Sequence, residues 1–189
     1  MSNREEYAPG PATGAQVRKD GEKWTLVLVR ELGHAPEKVW RALTDPAQLR
    51  EWAPFDADTS LGTAGATVRL TTVGAPTPHV TETTVTRADA PRALEYTWGG
   101  FEMRWELEAL GSGTRLTLWT NIDRRYISMG AAGWHICFDV LERLLAGRPI
   151  GRIVGPEAMK FGGWQRLHAE YAKQFGAETP GWAANAPQR

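Results

Sequence analysis

The 189-residue chain carries 22 acidic and 22 basic side chains, so its formal net charge is zero and no basic excess marks a nucleic-acid surface. Its length suits one domain with a real core, and Cys137, the only cysteine, excludes an intrachain disulfide and points to a reducing compartment, the cytoplasm. No run approaches the roughly 20 apolar residues of a membrane span, and polar Met1–Gln16 lacks the apolar core of a secretory signal.

Residues 1–20 read as a disordered lead-in. Lys23 to Leu32, rich in β-branched residues, predicts a strand. Pro36 opens a short helix striped by Val39, Trp40 and Leu43, which Asp45-Pro46 breaks; Ala47 to Trp52 starts a second, ended by Ala53-Pro54. From Leu61 the chain is a run of strands: Thr67 to Val73, Val80 to Arg87, Leu94 to Trp98, then Phe101 to Glu108 and Leu116 to Thr120. Gly99-Gly100 and Gly111-Ser112-Gly113 supply tight turns, so the last three form an antiparallel meander. Along it Phe101, Met103, Trp105 and Leu107 share one face, while Glu102, Arg104, Glu106 and Glu108 share a solvated one.

Ala131 to Gly147 predicts the central helix. Trp134, Cys137, Phe138, Leu141, Leu144 and Leu145 recur at spacings of three and four, with His135, Asp139, Glu142 and Arg143 on the opposite side. Ile136 and Val140 widen the apolar arc, so cover is expected on two sides. Gly147 is placed to stop the helix. A last helix carries Trp164, Leu167, Tyr171 and Phe175, with Gly176 as its stop. The domain is therefore expected at 21–147, with a helical extension over 148–176 and a tail over 177–189. The fold class is α+β: a curved antiparallel sheet with a long helix laid across it.

Catalytic chemistry has little to stand on. The serines occupy no nucleophile elbow, and the histidines His34, His79, His135 and His168 show no metal-ligand spacing, so no catalytic residue, metal or cofactor is expected. His135 falls in the polar arc and reads as a surface residue, and Cys137 as an inert core thiol. What remains is apolar and aromatic: Trp52, Phe55, Leu70, Tyr96, Trp98, Phe101, Met103, Trp105, Leu118, Trp134, Phe138 and Leu141. These residues make either a filled core or the lining of a small-molecule pocket. Glu82 and Arg69 have no assignable face, and an inward-pointing one would orient a ligand's polar end.

The run Ala35-Pro36-Glu37-Lys38-Val39-Trp40-Arg41-Ala42-Leu43-Thr44-Asp45-Pro46, then Leu49 and Trp52, resembles the opening of SRPBCC (START-like, Bet v 1-like) proteins. With Pro91 to Trp98, and Gly133-Trp134 followed by Leu141 and Leu144, it is similar to the branch named for the C-terminal domain of the activator of heat-shock-protein-90 ATPase. The resemblance covers roughly Lys23 to Gly147. It implies a helix-grip fold, about seven strands wrapped around the long helix with an apolar cavity between, and it favours the cavity over the filled core. The extension after Gly147 departs from the minimal domain and is expected to pack outside, close one end of the cavity, or dimerise.

The leading expectation is a non-enzymatic binder of a hydrophobic or aromatic small molecule, with entry gated near Phe55 and Pro76–Pro78. The resemblance leaves two alternatives: a polyketide cyclase or dehydratase using the same cavity, and a chaperone-binding module. A homodimer through an exposed Trp119 is the other protein partner considered.

Overall fold

The computed structural model describes residues 4–176; the remaining residues, the expected tail at 177–189 among them, lie outside the described residues. Six strands form the main sheet: β1 (Ala15–Asp20), β2 (Lys23–Leu32), β6 (Arg87–Asp89), β7 (Ala93–Trp98), β8 (Phe101–Leu110) and β9 (Gly113–Asn121), in the order β1-β2-β9-β8-β7-β6. A smaller sheet holds β3 (Phe55–Ala57), β4 (Thr67–Thr72) and β5 (His79–Thr84). All pairings are antiparallel. Side chains link the two sheets: the Thr97 N–H donates to Thr83 Oγ1 at 3.0 Å, and the Gly99 N–H to Thr81 Oγ1 at 3.4 Å.

Helices α1 (Pro36–Thr44) and α2 (Pro46–Trp52) follow β2. The junction is built by Asp45, which ends α1 in an extended conformation and caps α2 by accepting the Ala47 N–H at 2.9 Å. A 3₁₀ turn at Arg124–Tyr126 leads into the long helix α3 (Ile127–Leu145), which starts four residues before the expected Ala131. It ends as expected. Gly147 takes φ 72°, the Arg148 N–H reaches Arg143 O at 2.9 Å and the Gly147 N–H reaches Leu144 O at 3.0 Å, a Schellman closure. Beyond it come α4 (Gly155–Met159) and α5 (Gly162–Phe175).

Strand register explains the core. Tyr96, Met103, Thr120 and Leu26 lie in one row across β7, β8, β9 and β2, and Leu94, Trp105, Leu118 and Leu28 in the next. Alternation sends both rows inward, where all eight side chains are buried. The outer face carries exposed ion pairs such as Lys23–Glu102 and Arg115–Glu108, with Trp119 half-buried under the Arg104 guanidinium at 4.9 Å.

The expected disordered lead-in is corrected over its described part. Ala15–Asp20 pairs with β2 as the edge strand, and Tyr7 and Ala12 are buried. Polar side chains of later elements hold this segment: Glu170 accepts the Ala12 N–H at 2.8 Å and Gln174 donates to Ala12 O at 2.8 Å. Composition misled over Tyr7 and Ala12 because the side chains that hold them lie 132 to 162 positions away.

Candidate functional site

One face of α3 borders open space beside its packed neighbours. Tyr126, Met129, Gly130, Gly133, Trp134 and Cys137 recur at helical spacing along it and line a cavity of about 680 Å³. Opposite stand Trp98 and Phe101, which flank the β7–β8 turn, and the end of β9 with Thr120, Asn121, Ile122 and Asp123. The third wall is the extension: Ile153, Val154, Gly155, Pro156, Ala158, Met159 and Trp164. Phe101, Tyr126 and Pro156 are exposed and mark the mouth.

The walls are rings, thioethers and aliphatic groups. Trp98 packs edge-on to Trp134 at 6.1 Å and tilts against Phe101 at 6.0 Å. The Trp98 indole N–H is satisfied outside the void by Thr72 Oγ1 at 3.0 Å. Burial pushes the Cys137 thiol up to about 12, so it lines the void as a neutral group. Asp123 is the only carboxylate among the described residues of the lining; its oxygens accept from the Arg125 guanidinium at 3.0 Å and N–H at 2.8 Å, which hold it below the usual carboxylate range.

The two glycines of α3 help to make the space. A Cβ on Gly133 would meet nothing within 4 Å, and one on Gly130 would meet Ile122 Cδ1 at 2.6 Å. Sequence reading missed both. Their signal was two glycines three apart inside an apolar helix, a pattern that costs helix stability without a turn to justify it.

Of the sequence-expected lining, Trp98, Phe101 and Trp134 border the cavity. Trp52, Phe55, Leu70, Tyr96, Met103, Trp105, Leu118, Phe138 and Leu141 instead fill the closed core, each at most 3% exposed. There Trp105 donates to Tyr96 Oη at 3.1 Å and meets Trp52 edge-on at 6.0 Å. Arg69 and Glu82 point outward from β4 and β5, mostly exposed and paired with each other at 3.9 Å, so neither reaches the void. Of the two loops expected at the entry, the one near Phe55 contributes Pro54 to the lining, with Phe55 itself fully buried, and Pro76–Pro78 do not contribute.

A sequence-family model for Activator of Hsp90 ATPase homolog 1-like protein matches residues 34–146, more than half of the chain. The chain belongs to that family. Its SRPBCC-type helix-grip fold recurs in solved structures. The conserved protein of unknown function EF2215 from Enterococcus faecalis superposes with TM-score 0.64 at 17% identity, covering 85% of this chain and 89% of that one. CalU16 from Micromonospora echinospora gives 0.59 at 21% identity, over 90% and 97%. Protein MLL2253 from Mesorhizobium loti gives 0.57 at 27% identity, over 65% and 97%. No curated protein matches the chain.

The family region ends at residue 146, so every extension residue in the cavity wall lies outside it. The extension is pinned in place. Arg152 donates to Arg50 O at 2.6 Å and Ala53 O at 3.4 Å, carbonyls at the end of α2, and pairs with Asp56. Arg4 bonds to the carbonyls of Ile150, Gly151 and Arg152 at 3.0–3.2 Å. Gly74 and Gly155, both left-handed, meet backbone to backbone: a Cβ on either would lie 3.2 Å from a carbonyl oxygen of the facing strand of chain.

The opposite side of α3 holds a second polar cluster, and here the surface reading of His135 is corrected. His135 is 4% exposed because the N-terminal segment and α5 cover the polar arc. The Tyr171 hydroxyl donates to Thr13 O at 2.9 Å, which leaves its oxygen to accept from His135 Nδ1–H at 2.7 Å. Asp139 accepts from Tyr7 Oη at 2.6 Å and Arg30 at 2.7 Å, and lies 3.6 Å from His135 Nε2. Burial lowers the His135 pKa, partly opposed by Asp139. Among the described residues no His, Cys, Asp or Glu cluster suits a metal ion, and no helix is long and apolar enough to cross a membrane.

Proposed function

We propose that this protein binds a hydrophobic, ring-bearing small molecule in the cavity bounded by α3, the β7–β8 turn and the extension, and does no chemistry on it. The carrying observation is the void itself: about 680 Å³, walled by Trp98, Phe101, Trp134, Met129, Met159 and Trp164. Its size falls within the roughly 300–1,000 Å³ of small-molecule sites. Removing apolar ligand surface from water supplies the driving force, and the aromatic and methionine walls adapt to a flat guest at little entropic cost.

The cyclase reading finds less support. A proton-moving site needs a base within hydrogen-bond reach of the substrate. The ionisable side chains of the lining are Asp123, held by Arg125, the rim Tyr126, and Cys137, whose thiol stays protonated.

Native mass spectrometry of the purified protein, with tryptophan-fluorescence titration against flavonoids and polyketide-like aromatics, tests the binder reading. A copurified ligand or micromolar quenching is expected. Gly133→Leu, which grows a side chain into the cavity from a Cβ that meets nothing within 4 Å, should abolish both while leaving the circular dichroism unchanged. Binding that survives Gly133→Leu unaltered would place the ligand elsewhere and overturn the assignment.

A further inference from the structure

The polar groups inside the cavity narrow the kind of molecule it takes. Four threonines of the described residues are buried, and three of them bond to oxygen: Thr44 to Trp40 O at 2.9 Å, Thr114 to His34 O at 2.7 Å, and Thr83 with Thr97 at 3.0 Å. Thr120 is the exception. It is 4% exposed, lies in the inward row between Leu26 and Met103, and borders the cavity. Its hydroxyl meets only the Met103 thioether, at 3.6 Å. A thioether sulfur is a weak acceptor, so both lone pairs and most of the donor strength of this hydroxyl remain unused. Leaving a buried hydroxyl so poorly satisfied is costly, and an oxygen on a bound molecule relieves that cost.

Charge sets the second limit. Among the described residues lining the cavity there is no Arg, Lys or His, and the single charge is the Asp123 carboxylate. Of the cations beside it, Arg125 is bound to Asp123 and Arg124 lies over the Trp24 ring at 5.5 Å. A carboxylate guest would be desolvated with no counter-charge in the walls, close to a carboxylate of like sign.

We infer that the occupant is an uncharged aromatic molecule bearing a carbonyl or hydroxyl oxygen, and that the Thr120 hydroxyl takes that oxygen and orients the ring system between Trp98 and Trp134. The inference rests on the binder reading and specifies its ligand class.

Four probes separate the two. Acetonaphthone, ethylnaphthalene and naphthoate share a ring system and differ in carrying a ketone, no oxygen or a charge, and laurate is an aliphatic carboxylate. Each is titrated into the full chain by tryptophan fluorescence, in the wild type, Thr120→Val and Thr120→Ser. The ketone should bind about three- to tenfold tighter than the hydrocarbon, the scale of one neutral hydrogen bond. Thr120→Val should erase that preference and leave the hydrocarbon's affinity unchanged, while Thr120→Ser, which keeps the hydroxyl, should retain it. Both carboxylates should bind weakest. Equal affinity for ketone and hydrocarbon, a preference that survives Thr120→Val, or tightest binding by either carboxylate overturns the inference and leaves the binder reading standing. Failure of all four probes removes both. Should Thr120→Val not fold, the wild-type ranking of the four probes decides alone.

Discussion

Gly133 shows at the level of one residue how a cavity is written into a helix. A glycine inside α3 is less stable than alanine by about 1 kcal/mol, and no steric contact demands it, since a Cβ there would meet nothing within 4 Å. Gly133→Ala should therefore raise the stability of the protein by about 0.5–1 kcal/mol in urea unfolding. A loss of stability would mean that the space is already occupied. Trp105 makes the contrasting case. Its ring is 1% exposed and packs against Trp52, Trp134 and Phe138. Trp105→Ala should cost about 3–5 kcal/mol, as expected for deleting a buried aromatic side chain. A change under 1 kcal/mol would show that the ring borders free volume.

Among the elements, the extension carries the most consequence, because α4 and the start of α5 complete the cavity while α5 covers the polar arc of α3. Its docking should depend on pH. His135 and His168 are both buried, and burial lowers both pKa values from 6.5. His168 Nε2 has no hydrogen-bond partner among the described residues. Around His135, Asp139 and Glu170 favour the charged form and Arg30 and Arg166 oppose it. As pH falls below about 6.5 the unfolded chain takes up protons on these rings before the folded chain does, so stability is full above that value and declines beneath it. Thermal unfolding should occur at lower temperature at pH 5.5 than at pH 7.5, and His168→Phe should flatten the difference. An identical transition at both values would contradict neutral, buried rings. Arg152 gives an independent handle: Arg152→Ala removes the bonds to Arg50 O and Ala53 O, and should speed amide exchange across residues 150–160 while leaving β8 and β9 protected.

For the molecule as a whole, a ligand held jointly by the family region and the extension should stabilise both together. At a concentration one hundred times its dissociation constant it adds about 2.7 kcal/mol, and the unfolding transition should move upward as a single step. Splitting into two steps, with only one responsive to ligand, would mean that the extension folds apart from the site. The outer sheet face, by contrast, is built of exposed ion pairs, which contribute little each and are screened by salt. It belongs to solvation.

What the chain alone determined is the longer elements from β2 to α3 and α5, and the apolar face of each; β1, β3 and α4 were not legible in it. Alternation along Phe101–Glu108 and spacings of three and four along α3 identify which side chains turn inward, and Gly147 and Gly176 stop their helices in left-handed conformations as expected. Those signals are local: a period of two or 3.6 is complete within a dozen residues. Tertiary structure alone decided which inward residues meet close-packed neighbours and which meet a void. Trp105 and Trp134 each sit on the apolar face of its element, yet one is sealed in the core and the other borders open space, because the gap depends on where residues 153–164 come to rest. His135 was hidden for the same reason. Its arc is polar by spacing, and it becomes interior only when Thr13 and Tyr171, far apart in the chain, close over it. A periodic pattern specifies a face; the depth of that face is set by elements distant in sequence, and it is there that the cavity was made.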